Sequence, residues 1–307
     1  MSKQKRKPSG TGGAKQRPPT VFDPWLSKFT QESDDAIVQQ AEGWIKHLLA
    51  ITRMVPAVYG WRVTHVDTFI EQGKELQARI DRGGAQIDDM NRHYWIDVAR
   101  EIEAYSVLSL WRASELLQDA LAPLNSGQVL ASAILSRSLL ELSATFLFDA
   151  NIIGDVVKEA IDAPRDQLIL SEQLESVILK GIWGTKLGKP PPHLQKDRVG
   201  RLIGSISKNP NAADLYPTYS YLCEVAHPNV IGNDRFQAAA GDVQSDGSVI
   251  FRIERAAEFI AAATVREKTI WALGWSAYSV GSAFDMIRTS VERIVTRWDT
   301  NRANPGI

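Results

Sequence analysis

The sequence predicts an all-α protein, a multi-helix bundle with an N-terminal helical extension and one small β-hairpin. Apolar residues recur every three to four positions in eight segments between residues 33 and 298, which is the pattern of helices that bury one face. One stretch departs from this pattern: Asp246-Gly247 separates two short alternating segments, and Asp-Gly at such a place favours a tight hairpin turn. The predicted hairpin spans about residues 235–253.

Three regions follow along the chain. Residues 1–22 form a basic tail with six Lys and Arg residues and almost nothing apolar to bury, so we expect this tail to be disordered. Residues 23–85 are predicted to form an N-terminal helical extension, and residues 86–307 the main bundle. The net charge of −1 indicates no overall attraction to nucleic acid or membranes, whereas the tail alone has the charge to contact nucleic acid.

The cysteine content and the hydropathy of the sequence indicate a cellular compartment. Cys223 is the single cysteine, which excludes an intramolecular disulfide and a multi-cysteine zinc site. The uncharged stretch at residues 270–284 is shorter than the roughly 20 apolar residues that a membrane span needs. We therefore expect a cytoplasmic protein that does not enter a membrane. The small residues of this stretch would let another helix approach closely and are compatible with a homodimer.

Two charges lie within an otherwise uncharged helical segment. Between Asp119 and Asp149 only Arg137 and Glu141 are charged, and they share one arc of the predicted helix. One interpretation is structural, an ion pair at i, i+4 that holds the helix in register. The free energy that is lost when two charges are desolvated often exceeds the gain from their attraction. The pair is therefore also a candidate for a functional site.

A second polar face precedes Pro228. A projection of residues 213–227 at 100° per residue places Tyr219, Leu222, Val225 and Ala226 on an apolar face. The same projection gathers Tyr216, Ser220, Cys223, Glu224 and His227 on a polar face. Pro228 ends the helix, so His227 falls near the unpaired carbonyls of the last turn, which favour a protonated ring. The alternative is a capping histidine on a solvated face.

If the two faces meet, the charged groups form one cluster. The candidate catalytic residues are then Arg137, Glu141, Glu224 and His227. The candidate ligand-binding residues are Ser138, Tyr216, Ser220, Tyr221, Asn229 and Asn233. The predicted hairpin would cover this cluster. No metal and no cofactor are expected, because a single Glu-x-x-His motif does not complete a di-iron site.

These motifs resemble the HEPN-like superfamily, and particularly an uncharacterised bacterial branch. The matching residues are Arg137 and Glu141 in an R-x-x-x-E helix and Tyr221 and His227 in a Y-x-x-x-x-x-H helix, within residues 90–300. The resemblance implies a helical bundle that is frequently dimeric. It also implies kinship with ribonucleases of toxin–antitoxin and phage-defence systems.

The sequence departs from the active ribonucleases of that superfamily, which carry Arg and His on one helix with four to six residues between them. The three corresponding positions here are Ser220, Tyr221 and Leu222. We therefore expect a protein that binds RNA, a nucleotide or a protein partner through the polar cluster. A metal-independent endoribonuclease and a purely structural bundle are the two alternatives.

Overall fold

The computed structural model describes residues 36–195, 199–227, 242–250 and 260–299. Within these ranges the chain forms eight α-helices and one two-stranded antiparallel sheet, which confirms the predicted all-α class with a small hairpin. The elements are α1 (Ala36–Met54), α2 (Val66–Asp81), α3 (Ile87–Asn125), α4 (Val129–Asp162), α5 (Glu172–Trp183), α6 (Val199–Ile206), α7 (Leu215–Ala226), β1 (Asp242–Val243), β2 (Val249–Ile250) and α8 (Ile260–Trp298). The basic tail, Asn229 and Asn233 lie outside the described residues.

The three longest helices form the centre of the protein. α4 packs along α8 and α3, and α1 packs against α8. Side chains from all four helices belong to one hydrophobic core, including Ile45, Leu117, Leu140 and Ala277. The predicted boundary at residue 85 therefore falls between two parts of a continuous core.

Helix α4 occupies the central position that its low charge predicts. Two of its serines are buried with partners on neighbouring helices: Ser132 Oγ donates to Ala120 O at 2.7 Å, and Ser143 Oγ lies 3.1 Å from Ser276 Oγ. Among the described helices, α4 is the one whose length and hydropathy would suffice to cross a membrane. Half of its most apolar window is buried inside the protein, and core helices meet the same criterion.

The small residues of α8 admit α1 at close range, as the sequence predicts. A Cβ atom added to Gly274 would lie 2.6 Å from Ala41 Cβ and 2.8 Å from Ala41 Cα. Two turns further on, an added Cβ on Gly281 would lie 3.5 Å from the ring of His47. The two helices therefore touch through backbone at Gly274, and a side chain there has no space.

An aromatic layer joins the start of α3 to the end of α8. The indoles of Trp95 and Trp298 stack with centroids 5.2 Å apart and planes 7° from parallel. Trp95 Nε1 donates to Ile169 O at 3.0 Å, and Trp298 Nε1 donates to Asp88 Oδ1 at 3.2 Å. Both rings are fully buried, so this layer closes the core at one end of the bundle.

The end of α4 is completed by an arginine from α8. Arg297 donates through Nη1 to Ile161 O and through Nη2 to Ala163 O, the latter at 2.7 Å. The final carbonyls of a helix have no partner within the helix, so a side chain that binds them stabilises its end. The guanidinium also lies over the Trp298 ring, 5.0 Å from its centroid.

The hairpin turns where the sequence predicts. Asp242 pairs with Ile250 and Val243 with Val249. Gly247 has a φ of 83°, a left-handed value that glycine adopts without strain. The two strands are short and exposed, and the remaining parts of the predicted range, residues 235–241 and 251–253, lie outside the described residues.

Candidate functional site

The first wall of the candidate site is the polar face of α4. Arg137 Nη2 lies 3.1 Å from Glu141 Oε1, and the two side chains are 29% and 30% exposed. Because an i, i+4 pair of this partial exposure contributes only about 0.3–0.5 kcal/mol, stability alone does not account for two charges on a core helix. Arg137 Nε is buried without a hydrogen-bond partner among the described residues.

The second wall is α7, which packs against α4 through its apolar residues. Leu215, Leu222 and Val225 are buried, which turns the adjacent positions of α7 towards the edge of the α4 interface. Tyr219 donates from its hydroxyl to Glu141 Oε1 at 3.1 Å. Its ring lies beneath Arg137, whose Cζ is 5.8 Å from the ring centroid.

Helix α6 backs the tyrosines of α7 with glycines. An added Cβ on Gly200 would lie 3.8 Å from Tyr219 Cε1, and one on Gly204 would lie 3.7 Å from Tyr216 Cδ2. A methyl group would therefore fit between each glycine and its ring at van der Waals distance. The glycines of α6 leave space beside both rings.

Cys223 shares a side-chain hydrogen bond with Tyr219. Four side chains thus meet between two helices: Arg137 and Glu141 from α4, and Tyr219 and Cys223 from α7. Both pairs have i, i+4 spacing, so each occupies one face of its helix. We call this group the α4–α7 site. The contact with the α4 ion pair is made by Tyr219. The hypothesis that the pair faces the polar side of α7 stays a prediction.

Burial and mutual contact alter the acidity of the site. Burial lowers the pKa of Arg137, but the hydrogen bond with Tyr219 and the charges of Cys223 and Glu141 outweigh it, and the pKa lies above its ordinary value. Burial, with the Cys223 hydrogen bond and the Glu141 charge, raises the pKa of Tyr219 to about 12. At neutral pH the site therefore holds a charged guanidinium beside a neutral phenol.

The other predicted residues of α7 and its end lie differently. Glu224 and His227 are exposed, and the His227 backbone N donates to Cys223 O at 3.2 Å as the residue that caps α7. No hydrogen bond or ion pair among the described residues joins His227 to Arg137 or Glu141. Tyr216 is exposed, whereas Ser220 and Tyr221 are half-buried. The cluster of four catalytic candidates therefore stays a prediction.

On α4, Ser138 lies next to the ion pair in sequence but not in contact with it. Its side chain is exposed and its Oγ donates back to Ile134 O at 3.3 Å. Thr145, one turn after Glu141, likewise donates to Glu141 O at 2.9 Å. Both hydroxyls bind their own helix, so neither adds a donor to the α4–α7 site.

Sequence reasoning missed Tyr219, which the projection assigned to the apolar face. The ring does pack against core residues, but its hydroxyl reaches the ion pair. A tyrosine can pack its apolar ring against the core and still place its polar hydroxyl at a helix interface. The sequence feature that could have identified Tyr219 is its i, i+4 spacing to Cys223.

Metal chemistry finds no support in this part of the protein. Within the described residues no group of three or more His, Cys, Asp or Glu side chains is arranged to hold a metal ion. The α4–α7 site offers one carboxylate, one thiol, one phenol and a guanidinium, and the guanidinium would repel a cation.

Replacing Tyr219 by phenylalanine tests the site through its pH dependence. We expect a loss of about 1 kcal/mol in the free energy of unfolding at neutral pH, because Glu141 loses a hydrogen-bond donor. The folded-state pKa lies above the unfolded value of 10.0, so the Tyr219 contribution is complete below pH 10 and declines as the pH rises towards about 12. Urea unfolding at pH 8 and pH 11 should show a smaller gap between wild type and variant at pH 11. A gap that does not change, or an equal effect of Tyr278→Phe on the exposed face of α8, would contradict this assignment.

Comparison with known proteins gives no match to a family model, to a curated protein or to a solved structure. The resemblance to the HEPN-like superfamily accordingly stays a prediction from the two motifs.

Proposed function

We propose that the chain is a ligand-binding helical protein whose α4–α7 site takes a nucleotide or a short stretch of RNA. The observation that carries this proposal is the state of Arg137. Its guanidinium is held at a helix interface by Glu141 and keeps 29% of its side chain open to solvent. A partly exposed guanidinium in a fixed position suits an anionic oxygen.

The chemistry of the four side chains supports a phosphate-bearing ligand. A guanidinium presents its N–H groups in a planar fork that matches two phosphate oxygens. Glu141 fixes the orientation of that fork through Nη2 and can accept a hydrogen bond from a ribose hydroxyl or a base amino group. The exposed ring of Tyr216, on the same helix as Tyr219, offers a surface on which a base can stack.

Binding is favoured over catalysis by the partners of Arg137. A cation that stabilises a phosphorane needs its charge available, and Glu141 neutralises part of the charge of Arg137. General acid–base catalysis by His227 would require it to lie within hydrogen-bonding reach of the same substrate. His227 is exposed at the end of α7 and does not bind the Arg137–Glu141 pair.

Isothermal titration with nucleoside mono- and triphosphates and with short single-stranded RNAs tests this proposal. We expect Arg137→Ala to weaken binding at least tenfold, equivalent to about 1.4 kcal/mol, because it removes the phosphate donors. The matched control is Lys158→Ala, which removes an exposed i, i+4 ion pair with Asp162 at 3.2 Å on the same helix. This control should leave the affinity within about twofold, since the helix rise of about 1.5 Å per residue places it far from the site.

Three results would overturn the proposal. The absence of a binding signal with every ligand would indicate a purely structural bundle. Equal losses in the Arg137 and Lys158 variants would move the binding surface elsewhere. Cleavage of the RNA by the wild-type protein, lost in His227→Ala, would replace binding by ribonuclease activity.

A further inference from the structure

A cavity that shares no residue with the α4–α7 site lies between α2, the start of α3 and the segment before α5. This α2–α3 groove is a half-open cavity of about 200 Å³. Its lining residues are Phe69, Ile70, Gly73, Met90, His93, Tyr94, Leu168 and Leu170. None of these lining residues is among the candidate site residues that the sequence predicts.

The polar groups at the groove are already satisfied by the protein. His93 Nε2 lies 3.2 Å from Phe69 O. The Tyr94 hydroxyl lies 3.0 Å from Glu175 Oε1 and accepts from Ser171 N at 3.2 Å. The groove therefore offers a bound molecule apolar contact and aromatic surface rather than free hydrogen-bonding groups.

The rim of the groove is apolar and open. Ile70 is 47% exposed, and Leu170 is 57% exposed. Helix α2 is amphipathic, yet none of its residues is fully buried. The apolar face of α2 is therefore only partly covered. A bound apolar molecule would remove more of this surface from water, which is favourable.

A glycine lines the groove. Gly73 lies in the middle of α2, where glycine costs about 1 kcal/mol relative to alanine. No atom lies within 4 Å of a Cβ added at this position, so packing does not require the glycine. Residue 73 is therefore a position at which a larger side chain can narrow the groove without a clash at its Cβ.

We propose that the α2–α3 groove binds a small uncharged aromatic molecule of one or two fused rings. The size follows from the volume, since a cavity of about 150 Å³ lined by Leu, Ile and Phe accommodates benzene. The aromatic class follows from the walls: Phe69 and His93 stack with centroids 4.2 Å apart, the Tyr94 ring lies beside them, and the Met90 thioether favours aromatic partners.

The charge around the groove excludes an anionic ligand. Residues 66–105 and 163–183, which surround it, contain twelve Asp and Glu residues against seven Lys and Arg residues. Burial and the charges of Asp97 and Glu175 raise the pKa of Glu101, which indicates that these carboxylates repel one another. An aromatic carboxylate would meet the same repulsion.

Saturation-transfer NMR and calorimetry with indole test the proposal on the full-length protein. We expect indole to bind and Gly73→Leu to weaken its affinity at least tenfold by filling the groove. The matched control is Gly43→Leu, which makes the same change at an exposed glycine in the middle of α1, where an added Cβ also meets no atom within 4 Å. This control should bind indole like the wild type. Leu170→Ser, a change at an exposed rim residue, should also weaken binding and guards against a folding defect in the Gly73 variant.

Competing ligands and the oligomeric state distinguish this proposal from its alternatives. Indole-3-acetate should bind at least tenfold more weakly than indole, and linear hexanol should not compete. The proposal is overturned if indole does not bind, if Gly73→Leu and Gly43→Leu behave alike, or if hexanol binds as well as indole. It is also overturned if light scattering shows a dimer that Gly73→Leu dissociates, because a second copy would then cover the groove.

Discussion

Replacement of Gly274 by leucine is expected to lower the free energy of unfolding by about 3 kcal/mol, the upper part of the range for overpacked cores. The first atom of any new side chain would lie 2.8 Å from Ala41 Cα, which is backbone and cannot rotate away. Helices α1 and α8 would have to separate along their contact and expose part of the core. Urea unfolding monitored by circular dichroism measures the change.

Two further variants separate this effect from helix propensity. Gly43→Leu makes the same substitution in open space and should raise the free energy of unfolding by up to about 1 kcal/mol, because leucine favours helix more than glycine does. Gly274→Ala should destabilise less than Gly274→Leu, and adding Ala41→Gly should restore part of the loss. If Gly274→Leu were as stable as Gly43→Leu, the close approach of α1 to α8 would be wrong.

Replacement of Trp95 by alanine is expected to lower the free energy of unfolding by about 3–5 kcal/mol. The ring is fully buried, stacks on Trp298 and meets Tyr94 edge-on with centroids 5.3 Å apart. The substitution leaves a large cavity and removes the donor to Ile169 O, so the carbonyl loses its partner as well. Thermal and urea unfolding should both show the loss.

Trp183→Ala is the matched control for this prediction. Trp183 is 59% exposed and stacks on Trp61 at a centroid distance of 6.2 Å. Its removal should cost less than about 1.5 kcal/mol, the value of a surface aromatic pair. Trp95→Phe, which keeps an aromatic ring but not the indole N–H, should lie between the two. Similar losses in Trp95→Ala and Trp183→Ala would mean that Trp95 does not close the core.

Much of the fold could be predicted because helix patterns are local. The spacing of apolar residues located the eight helices of the described part of the chain, and Asp246-Gly247 located the turn of the hairpin. Helix α4 continues through Gly154 to Asp162, and Val157 and Ala160 in its last turns are buried. Tertiary packing there outweighs the low helix propensity of glycine.

The candidate site could be predicted only in part. The low charge of α4 identified Arg137 and Glu141, since a charge among apolar residues is visible in sequence. Tyr219 could not be assigned in the same way, because a projection classes a tyrosine by its ring and the functional atom is at its tip. The position of His227 relative to Arg137 depends on how α7 is rotated against α4, and one sequence does not specify that angle.

Contacts between distant segments were also beyond prediction. Gly181 lies so close to Tyr105 that an added Cβ would be 2.5 Å from Cε2 of the ring. The Tyr105 hydroxyl in turn donates to Asp149 Oδ2 at 2.6 Å. Nothing in the local pattern around Gly181 distinguishes it from a surface glycine such as Gly43.

The arginine at the end of α8 has a consequence for the order of folding. Arg297 and the carbonyl it binds at Ala163 are 134 residues apart in the chain, so the last turn of α4 gains its closing hydrogen bonds only after α8 has docked. Contacts between such distant residues carry a large loop-closure entropy and tend to form late. The middle of α4 can thus become helical early, while its final turn frays until the end of α8 packs against it.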